Sequence, residues 1–215
     1  VIKFSIDKNF IKNRVKRTEY LKDAVPKVVK NSDHMYSYDY IDSSIVSKSM
    51  NIMVFEKLLV ELNKFWRIEK LNNKDMDNFE IICHDFYFDK TFERINNFLS
   101  KYPFYDKPLS VNGISIDRPM DILNKIDWPD LAKGTPSTFH GDLHFENILY
   151  DGKDFKFLDW RDSFGGIIEY GDIYYDFAKL LHGILISHEI VLEGGYKIQE
   201  SENEININIK TADIY

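Results

Sequence analysis

Cysteine is almost absent from this chain of 215 residues, in which Cys83 is the only one. A disulfide between two of these residues is therefore impossible, and a structural zinc site built from several cysteines is excluded. A single thiol is typical of a protein from a reducing compartment. The sequence accordingly predicts a cytoplasmic location.

Long apolar runs and positive charge are also scarce. No stretch is apolar enough to cross a bilayer, and the first residues lack the order of a secretory signal, so we expect no membrane partner. Lys and Arg total 28 against 35 Asp and Glu, a net charge of −7. Nucleic-acid binding requires clustered basic residues, so we expect no nucleic-acid partner and a small-molecule ligand of neutral or positive charge.

Hydrophobic periodicity divides the rest of the chain into strands and helices. The segment from 49 to about 103 is predicted to be helical, with one long amphipathic helix first and then another helix or pair of helices capped by Asp77 or Asn78. The segment 107–136 is predicted to be rich in loop. The tail 200–210 is predicted to be an edge strand or a frayed end. The other predicted strands are 1–4, 27–30, 34–41, 137–139 and 155–158, and the other predicted helices are 12–24 and 174–186.

One loop carries residues suited to chemistry, His140-Gly141-Asp142-Leu143-His144-Phe145-Glu146-Asn147, followed by Phe157-Leu158-Asp159-Trp160. Phosphoryl transfer needs a carboxylate that orients the attacking hydroxyl and oxygen ligands that hold Mg²⁺ against the phosphates. Asp142 and Asn147, five residues apart, can supply the first group and one metal ligand. Asp159, twelve residues further, can supply a metal carboxylate at the end of a strand.

This order of residues resembles the catalytic and metal loops of protein kinases, and with His-Gly-Asp it resembles the aminoglycoside phosphotransferase and choline kinase family. The resemblance implies an α+β, two-lobed protein-kinase-like fold. Residues 1–42 would be a partial N-terminal nucleotide lobe with a hinge, and 43–215 a helical catalytic and substrate lobe. It also implies Asp142 as the catalytic base or hydroxyl-orienting group, Asn147 and Asp159 as Mg²⁺ ligands, and ATP or GTP as phosphoryl donor. The acceptor would be a hydroxyl of an amino alcohol, an aminoglycoside or a sugar.

A second segment, from Tyr170 to Ala178, resembles the Gly-Asp segment that follows the metal loop in these enzymes. The resemblance implies that Asp172 is a buried acceptor that braces the catalytic loop, and that Asp176 either does the same or caps a helix. We expect His140 to fix the loop as a hydrogen-bond donor. For His144, contact with substrate or phosphate and a purely structural role both stay open.

The resemblance also implies residues for the nucleotide. Lys3, on a strand, would contact the α- and β-phosphates, and Glu19, on the next helix, would hold it. The main chain of Asp39, Tyr40 and Ile41 would form the hinge that meets the base. No glycine precedes Gly113, so the Gly-rich loop is missing and an upstream segment or fused domain is expected to carry it.

Two alternatives come from other functional classes. The pair Gly141-Asp142 with His144 is also found in metal-dependent phosphoesterases, although the chain lacks their other metal-binding segments. A non-catalytic pseudokinase or scaffold would explain the missing Gly-rich loop. A scaffold, however, has no need of Asp142, Asn147 and Asp159 together.

Overall fold

Helices and strands are mixed along the chain in the computed structural model, which describes residues 1–186 and 191–210. The helices are α1 (Lys8–Leu21), α2 (Ile52–Phe65), α3 (Asn73–Lys101), α4 (Pro119–Leu123), α5 (Trp128–Leu131) and α6 (Ile173–Leu185). The strands are β1 (Ile2–Phe4), β2 (Val28–Asn31), β3 (Met35–Tyr38), β4 (Ser44–Ile45), β5 (Leu109–Val111), β6 (Ile114–Ile116), β7 (Pro136–Ser137), β8 (Ile148–Tyr150), β9 (Phe155–Phe157), β10 (Gly171–Asp172), β11 (Tyr196–Glu200) and β12 (Glu204–Ile209). This mixture confirms the predicted α+β class.

The described residues form two compact units, each made of two chain segments. The first unit contains 1–72 and 135–186, and the second contains 73–134 and 191–210. The predicted boundary after residue 42, between a nucleotide lobe and a catalytic lobe, does not coincide with the division into these two units. It stays a prediction.

The first unit begins with a three-stranded antiparallel sheet in the order β1-β3-β2. In β3, Tyr36 and Tyr38 are buried, whereas Tyr40 lies beyond the strand and is exposed. Helix α1 starts at Lys8, four residues before the predicted start. The carboxylate of Asp7 accepts hydrogen bonds from the backbone N–H groups of Asn9 and Phe10 and so caps the helix.

One continuous apolar core fills the first unit. Helix α2 contributes its regularly spaced face, with Leu58 and Leu62 fully buried, and Phe65 packs edge-on against Phe157 of β9 at 5.5 Å. Strand β9 belongs to a second sheet of order β4-β8-β9. This sheet and the pair β7–β10 flank the loop that carries Asp142, so the core holds both ends of that loop.

The predicted helical region from 49 to about 103 contains two separate helices, α2 and α3, which agrees with the expectation of a second helix. Between them, Ile68 bridges to Ser137 and the carbonyl of Arg67 accepts from Thr138 N, which keeps this segment extended. The predicted cap at Asp77 or Asn78 of the second helix is wrong. Helix α3 begins at Asn73, so both residues lie inside it.

The second unit contains a four-stranded sheet of order β11-β12-β5-β6. The segment 107–136, predicted to be rich in loop, also holds the β5–β6 hairpin and helices α4 and α5. Asn112 and Gly113 form its two-residue turn with φ values of 50° and 77°, the left-handed geometry that Asn-Gly favours. Strand β12 pairs on both sides, with β11 and with β5, so the predicted tail strand is real but is not an edge strand.

None of the helices in the described part of the chain is both long and apolar enough to cross a membrane. Helix α3 has 29 residues, but charged side chains recur along it. Cys83 is buried in this helix and is not part of a disulfide.

Burial along α2 predicts unequal costs for two neighbouring leucines. Leu58 is fully buried and Leu59 is 40% exposed. We expect Leu58→Ala to lower the free energy of unfolding by about 2–5 kcal/mol, because it removes buried methyl groups and leaves a cavity. Leu59→Ala, the matched control, should change it by about 0.5 kcal/mol or less. Chemical denaturation of both variants measures this, and equal losses would contradict the assigned face of the helix.

Candidate active site

The loop from His140 to Asn147 closes on itself around Asp142. The side-chain Nδ2 of Asn147 donates to the main-chain oxygen of Asp142 at 2.9 Å and to its carboxylate Oδ2 at 3.2 Å. The 3-10 turn at Phe145–Asn147 brings the asparagine back over the aspartate. The five-residue spacing seen in the sequence therefore corresponds to direct contact between the two side chains.

Asp159 follows β9 and reaches the same site through the backbone. Leu158 N donates to Asn147 O at 2.7 Å, which places Asp159 next to the end of the loop. Asp159 has a φ of 56°, a left-handed conformation that aspartate tolerates better than most residues and that is frequent at functional sites. The structure thus gathers Asp142, Asn147 and Asp159, the three residues predicted to perform the chemistry.

Lys3 joins this group from the other end of the chain. Its Nζ lies 2.6 Å from Asp159 Oδ1 and 2.8 Å from Oδ2. Arg14 of α1 adds a second cation, with Nη1 3.4 Å from Asp159 Oδ1 and Nη2 bonded to the Asp159 carbonyl at 3.3 Å. The carboxylate of Asp159 therefore interacts with two positive side chains.

The ion-pair partner of Lys3 is Asp159 and not Glu19. Glu19 is exposed and lines a groove together with Lys12 and Lys16, which lie on the same face of α1. Arg14 and Arg17 lie on the opposite side of the helix, toward Asp159, because residues five apart differ by about 140° around a helix of 3.6 residues per turn. The predicted ion pair between Lys3 and Glu19 is absent from the contacts of the described residues, so a nucleotide role for Glu19 stays a prediction.

The predicted hinge follows β3 directly. Asp39 and Tyr40 are exposed, Ile41 is half-buried, and all three lie outside the described strands. Their main-chain groups are therefore outside the sheet pairing, as the hinge hypothesis requires, while base recognition there stays a prediction.

Asp176 anchors the catalytic loop. It is fully buried, and its carboxylate accepts from the backbone N–H of His140 and of Gly141, both at 2.7 Å, and from Trp66 Nε1 at 3.0 Å. Burial raises the pKa of Asp176, although these three hydrogen bonds oppose the shift. Each of the two loop N–H groups thus has a partner at a place where neither helix nor strand supplies one.

Asp172 caps helix α6, the role that the sequence had left open for Asp176. Its Oδ1 caps α6 by accepting from Tyr174 N, and it also accepts from Thr135 N at 2.8 Å. Asp172 is thus a buried acceptor, as expected, and its bracing of the catalytic loop stays a prediction. Asp176 makes the direct bonds to the loop, and Asp172 holds the strand that leads into it.

Gly141 is needed where it stands. Its φ is 88°, and a Cβ at this position would lie 2.6 Å from Arg161 Cβ and 2.9 Å from the Phe139 ring. Any side chain would therefore push the segment around Arg161 away from the loop that contains Gly141. The His-Gly-Asp order reflects this close approach.

Arg17 ties the two loops together from α1. Its side chain is fully buried, its Nη atoms donate to the carbonyls of Phe139 and Arg161, and its guanidinium lies 3.9 Å from the centre of the Phe139 ring. Burial lowers its pKa to about 9, and attraction to Asp176 partly offsets that effect. Sequence reasoning missed Arg14 and Arg17, although both share a helical face with the buried Ile11 and Leu21.

His140 fixes the loop, as expected, but as an acceptor. Its Nδ1 accepts from the backbone N–H of Asp142 at 3.2 Å, so the proton of the neutral ring is on Nε2. Complete burial lowers the pKa of His140 to about 3, which keeps the ring neutral at physiological pH. A role as acid or base is therefore not supported.

His144 lies between two carboxylates. Its Nε2 is 3.4 Å from Asp142 Oδ2, and its Nδ1 is 2.9 Å from Glu146 Oε2. These two partners raise the pKa of His144 to about 9. Asn147 Nδ2 is also 3.2 Å from Nε2, but the amide hydrogens are already directed to Asp142, so the protonated ring fits the surrounding groups best.

Asp142 is held in its charged form. Burial by itself raises the pKa of this carboxyl, but bonds from His144 and from Lys179 of α6 outweigh burial and hold the pKa well below its usual range. Lys179 Nζ lies 2.9 Å from Asp142 Oδ1. Lys179 is not among the residues predicted from the sequence, although it lies one helical turn after Asp176 and so shares its face.

The donors present fit Mg²⁺ by their chemistry. Asp159 and Asn147 offer carboxylate and carboxamide oxygens, which are hard ligands of the kind that Mg²⁺ prefers. The Asn147 amide donates to Asp142 through Nδ2, which leaves Oδ1 for another partner. No group of three or more His, Cys, Asp or Glu suited to a metal occurs among residues 1–186 and 191–210.

A comparison with protein-family models agrees with this geometry. Residues 117–194 match the model of a phosphotransferase enzyme family. The matched segment contains Asp142, Asn147 and Asp159, as well as Asp176 and Lys179. It confirms the resemblance to the aminoglycoside phosphotransferase and choline kinase family. Neither a curated protein nor a solved structure matches the chain.

The buried position of Arg17 predicts a large effect on stability. We expect Arg17→Met to lower the free energy of unfolding by about 3–5 kcal/mol, because two buried carbonyls and the Asp176 carboxylate lose their cation. Arg67→Met is the matched control. Arg67 is exposed and donates to one main-chain carbonyl, that of Tyr20, so its substitution should lower the free energy of unfolding much less. Urea unfolding followed by tryptophan fluorescence measures both, and similar losses would contradict the bridging role.

The pairing of His144 predicts its titration. In the metal-free protein, NMR of the imidazole should give a midpoint near pH 9, and Asp142→Asn should move the midpoint down toward 6.5. Because the folded-state pKa is the higher one, the stabilisation is complete below pH 6.5 and is lost as the pH rises through about 9. A wild-type midpoint at or below 6.5 would contradict the arrangement.

Proposed function

We propose that this protein transfers a phosphoryl group from ATP or GTP to a hydroxyl of a small molecule. The observation that carries the proposal is the convergence of Asp142, Asn147 and Asp159 with Lys3, four residues from two distant parts of the chain. The family match over residues 117–194 supports a phosphotransferase. The donor, the acceptor and the cofactor belong to the proposal.

Asp142 orients the acceptor in this mechanism. Its carboxylate accepts a hydrogen bond from the acceptor hydroxyl and aims that oxygen at the terminal phosphorus of the nucleotide. The new oxygen–phosphorus bond forms as the bond to the bridging oxygen breaks, and the nucleoside diphosphate leaves. The hydroxyl proton passes to Asp142 and then to water. Because the pKa of Asp142 is held low, the group positions the hydroxyl more effectively than it removes its proton.

Lys3 and Arg14 provide positive charge for the phosphates. Both side chains are partly accessible and both interact with Asp159, so they can turn to phosphate oxygens when a nucleotide enters. Asn147 and Asp159 would hold Mg²⁺, which would neutralise phosphate charge when bound. We include in this proposal the two-lobed kinase-like fold, with residues 1–42 as nucleotide lobe, 39–41 as hinge and 43–215 as catalytic and substrate lobe.

A pseudokinase or scaffold is the second candidate, and one observation favours it. The carboxylate of Asp159 is already neutralised by Lys3 and Arg14, while Glu19 is exposed on another face of α1. Such an arrangement would bind a nucleotide through the two cations without turnover. Retention of the whole Asp142–Asn147 contact argues for catalysis, because a scaffold gains nothing from it.

Substitution of the two aspartates tests the proposal. The chain is incubated with Mg²⁺, ATP or GTP and a panel of amino alcohols, aminoglycosides, sugars and hydroxy acids, and products heavier by one phosphoryl group are sought by mass spectrometry. We expect the wild type to transfer the phosphoryl group, and we expect the transfer rate to fall by about 10² or more in Asp142→Asn and Asp159→Asn. Asp154→Asn, at an exposed turn, is the control and should retain activity.

The other outcomes separate the alternatives. Full activity in either aspartate variant would refute the site assignment. Nucleotide binding without transfer to any acceptor would favour the scaffold. Phosphate release from an ester in the absence of nucleotide would favour a metal-dependent phosphoesterase.

A further inference from the structure

Lys179 reaches Asp142 from a different element of the first unit. It lies three residues after Asp176 on α6, so both side chains point to the catalytic loop from the same face of the helix. Asp176 holds the loop backbone, and Lys179 Nζ contacts Asp142 Oδ1 at 2.9 Å. The side chains of Lys179 and Asp142 are 30% and 38% exposed, so a ligand can reach this pair.

Stability alone gives little reason for this ion pair. Partly exposed pairs contribute about 0–1 kcal/mol, because solvent screens the attraction and two long side chains lose freedom. Asp142 Oδ2 is already surrounded by Asn147 Nδ2 at 3.2 Å and His144 Nε2 at 3.4 Å. Lys179 therefore adds a second cation to a carboxylate that already has donors.

The position of Lys179 restricts what can bind. Oδ2 is occupied from within the loop, so an incoming hydroxyl that donates to Asp142 must approach Oδ1, where the ammonium lies. An ammonium has three N–H donors, and Asp142 uses one of them, which leaves others for a ligand oxygen. The Lys179 ammonium also lies 5.7 Å from the centre of the Tyr175 ring. The acceptor molecule is thus placed directly beside a positive charge.

The neighbouring acids do not offset that charge for the ligand. Glu146 is bonded to His144, Asp176 is buried and bonded to three N–H groups, and Asp159 interacts with Lys3 and Arg14. Within residues 1–186, a positively charged group near the hydroxyl would have to share the Asp142 carboxylate with the Lys179 ammonium, which repels it. An oxyanion there would gain a charge-assisted hydrogen bond.

We infer that Lys179 binds an oxyanion of the acceptor, so that the phosphorylated hydroxyl belongs to a molecule carrying a carboxylate or phosphate a few bonds away. This inference rests on the proposed function and deepens it. It also replaces the sequence-based expectation of a neutral or positively charged substrate with an anionic one.

Four probes with a three-carbon skeleton test this inference: glycerol 3-phosphate, glycerate, glycerol and 3-amino-1,2-propanediol. They share a three-carbon skeleton with hydroxyl groups and differ in one substituent, which is a phosphate, a carboxylate, a hydroxyl or an amine. Binding to the full chain is measured by calorimetry in the wild type, Lys179→Met and Lys179→Arg. Lys64→Met is the control, because Lys64 also pairs with an acid on a helix but is far more exposed.

We expect one or both anionic probes to bind the wild type at least about tenfold more tightly than the amine, a difference set by one charge-assisted bond. Lys179→Met should remove the difference, Lys179→Arg should restore most of it, and Lys64→Met should leave it unchanged. Comparison of the phosphate with the carboxylate identifies which oxyanion is preferred. Thermal unfolding of each variant verifies that the protein is folded.

Four results would overturn the inference. The first is equal or tighter binding of the amine, and the second is an anion preference that persists in Lys179→Met. The third is no binding of either anion at about 10 mM, which lies above ordinary KM values for metabolites. The fourth is a kinetic effect of Lys179→Met on the KM for nucleotide alone, which would instead assign the lysine to the transferred phosphate.

Failure of the proposed function would look different from failure of this inference. If the wild type binds the anions through Lys179 but transfers no phosphoryl group, the binding site stands and the transferase activity does not. If the wild type transfers phosphoryl groups but prefers the amine, the activity stands and the acceptor class does not. The two measurements therefore decide the two statements separately.

Discussion

The buried carboxylate of Asp176 is the interaction on which the site depends. A charge removed from water is costly unless hydrogen bonds replace its hydration, and here three N–H groups do so. Two of those N–H groups belong to His140 and Gly141, so the charge is satisfied only when the loop has one conformation. The third comes from Trp66, which joins the end of α2 to α6. Asp142 is the next residue after Gly141, so its position is fixed as well.

Arg17 complements Asp176 with the opposite charge. The loop backbone has no helix or strand partners at this point, and each kind of polar group needs a side chain. Asp176 accepts from the N–H groups, and Arg17 donates to the carbonyls of Phe139 and Arg161. Because Arg161 N also donates to His140 O at 2.9 Å, the catalytic loop and the segment after Asp159 are held as one piece. The absence of a side chain at Gly141 permits this close approach.

Each candidate acid of the site interacts with a lysine from another element. Asp159 pairs with Lys3 of β1, and Asp142 pairs with Lys179 of α6. Both lysines are partly exposed, so each can exchange its carboxylate for an oxyanion of a ligand. In the proposed reaction, Lys3 is suited to the phosphates of the nucleotide and Lys179 to the acceptor, one on each side of the transferred group. This arrangement explains how an acidic chain can bind anionic molecules, since the positive charge is local.

The sequence by itself determined the features that depend on short separations. The five-residue spacing of Asp142 and Asn147, the strand before Asp159 and the helical spacing of α2 are local properties that a chain displays without its tertiary fold. Only the tertiary structure decided which distant groups meet. Lys3 and Asp159 are 156 residues apart, Arg17 was indistinguishable from other charged residues of α1, and the roles of Asp172 and Asp176 depended on where α6 packs. Contacts between residues so far apart in the chain depend on how whole helices and strands pack together. The periodicity of the sequence contains no information about that packing.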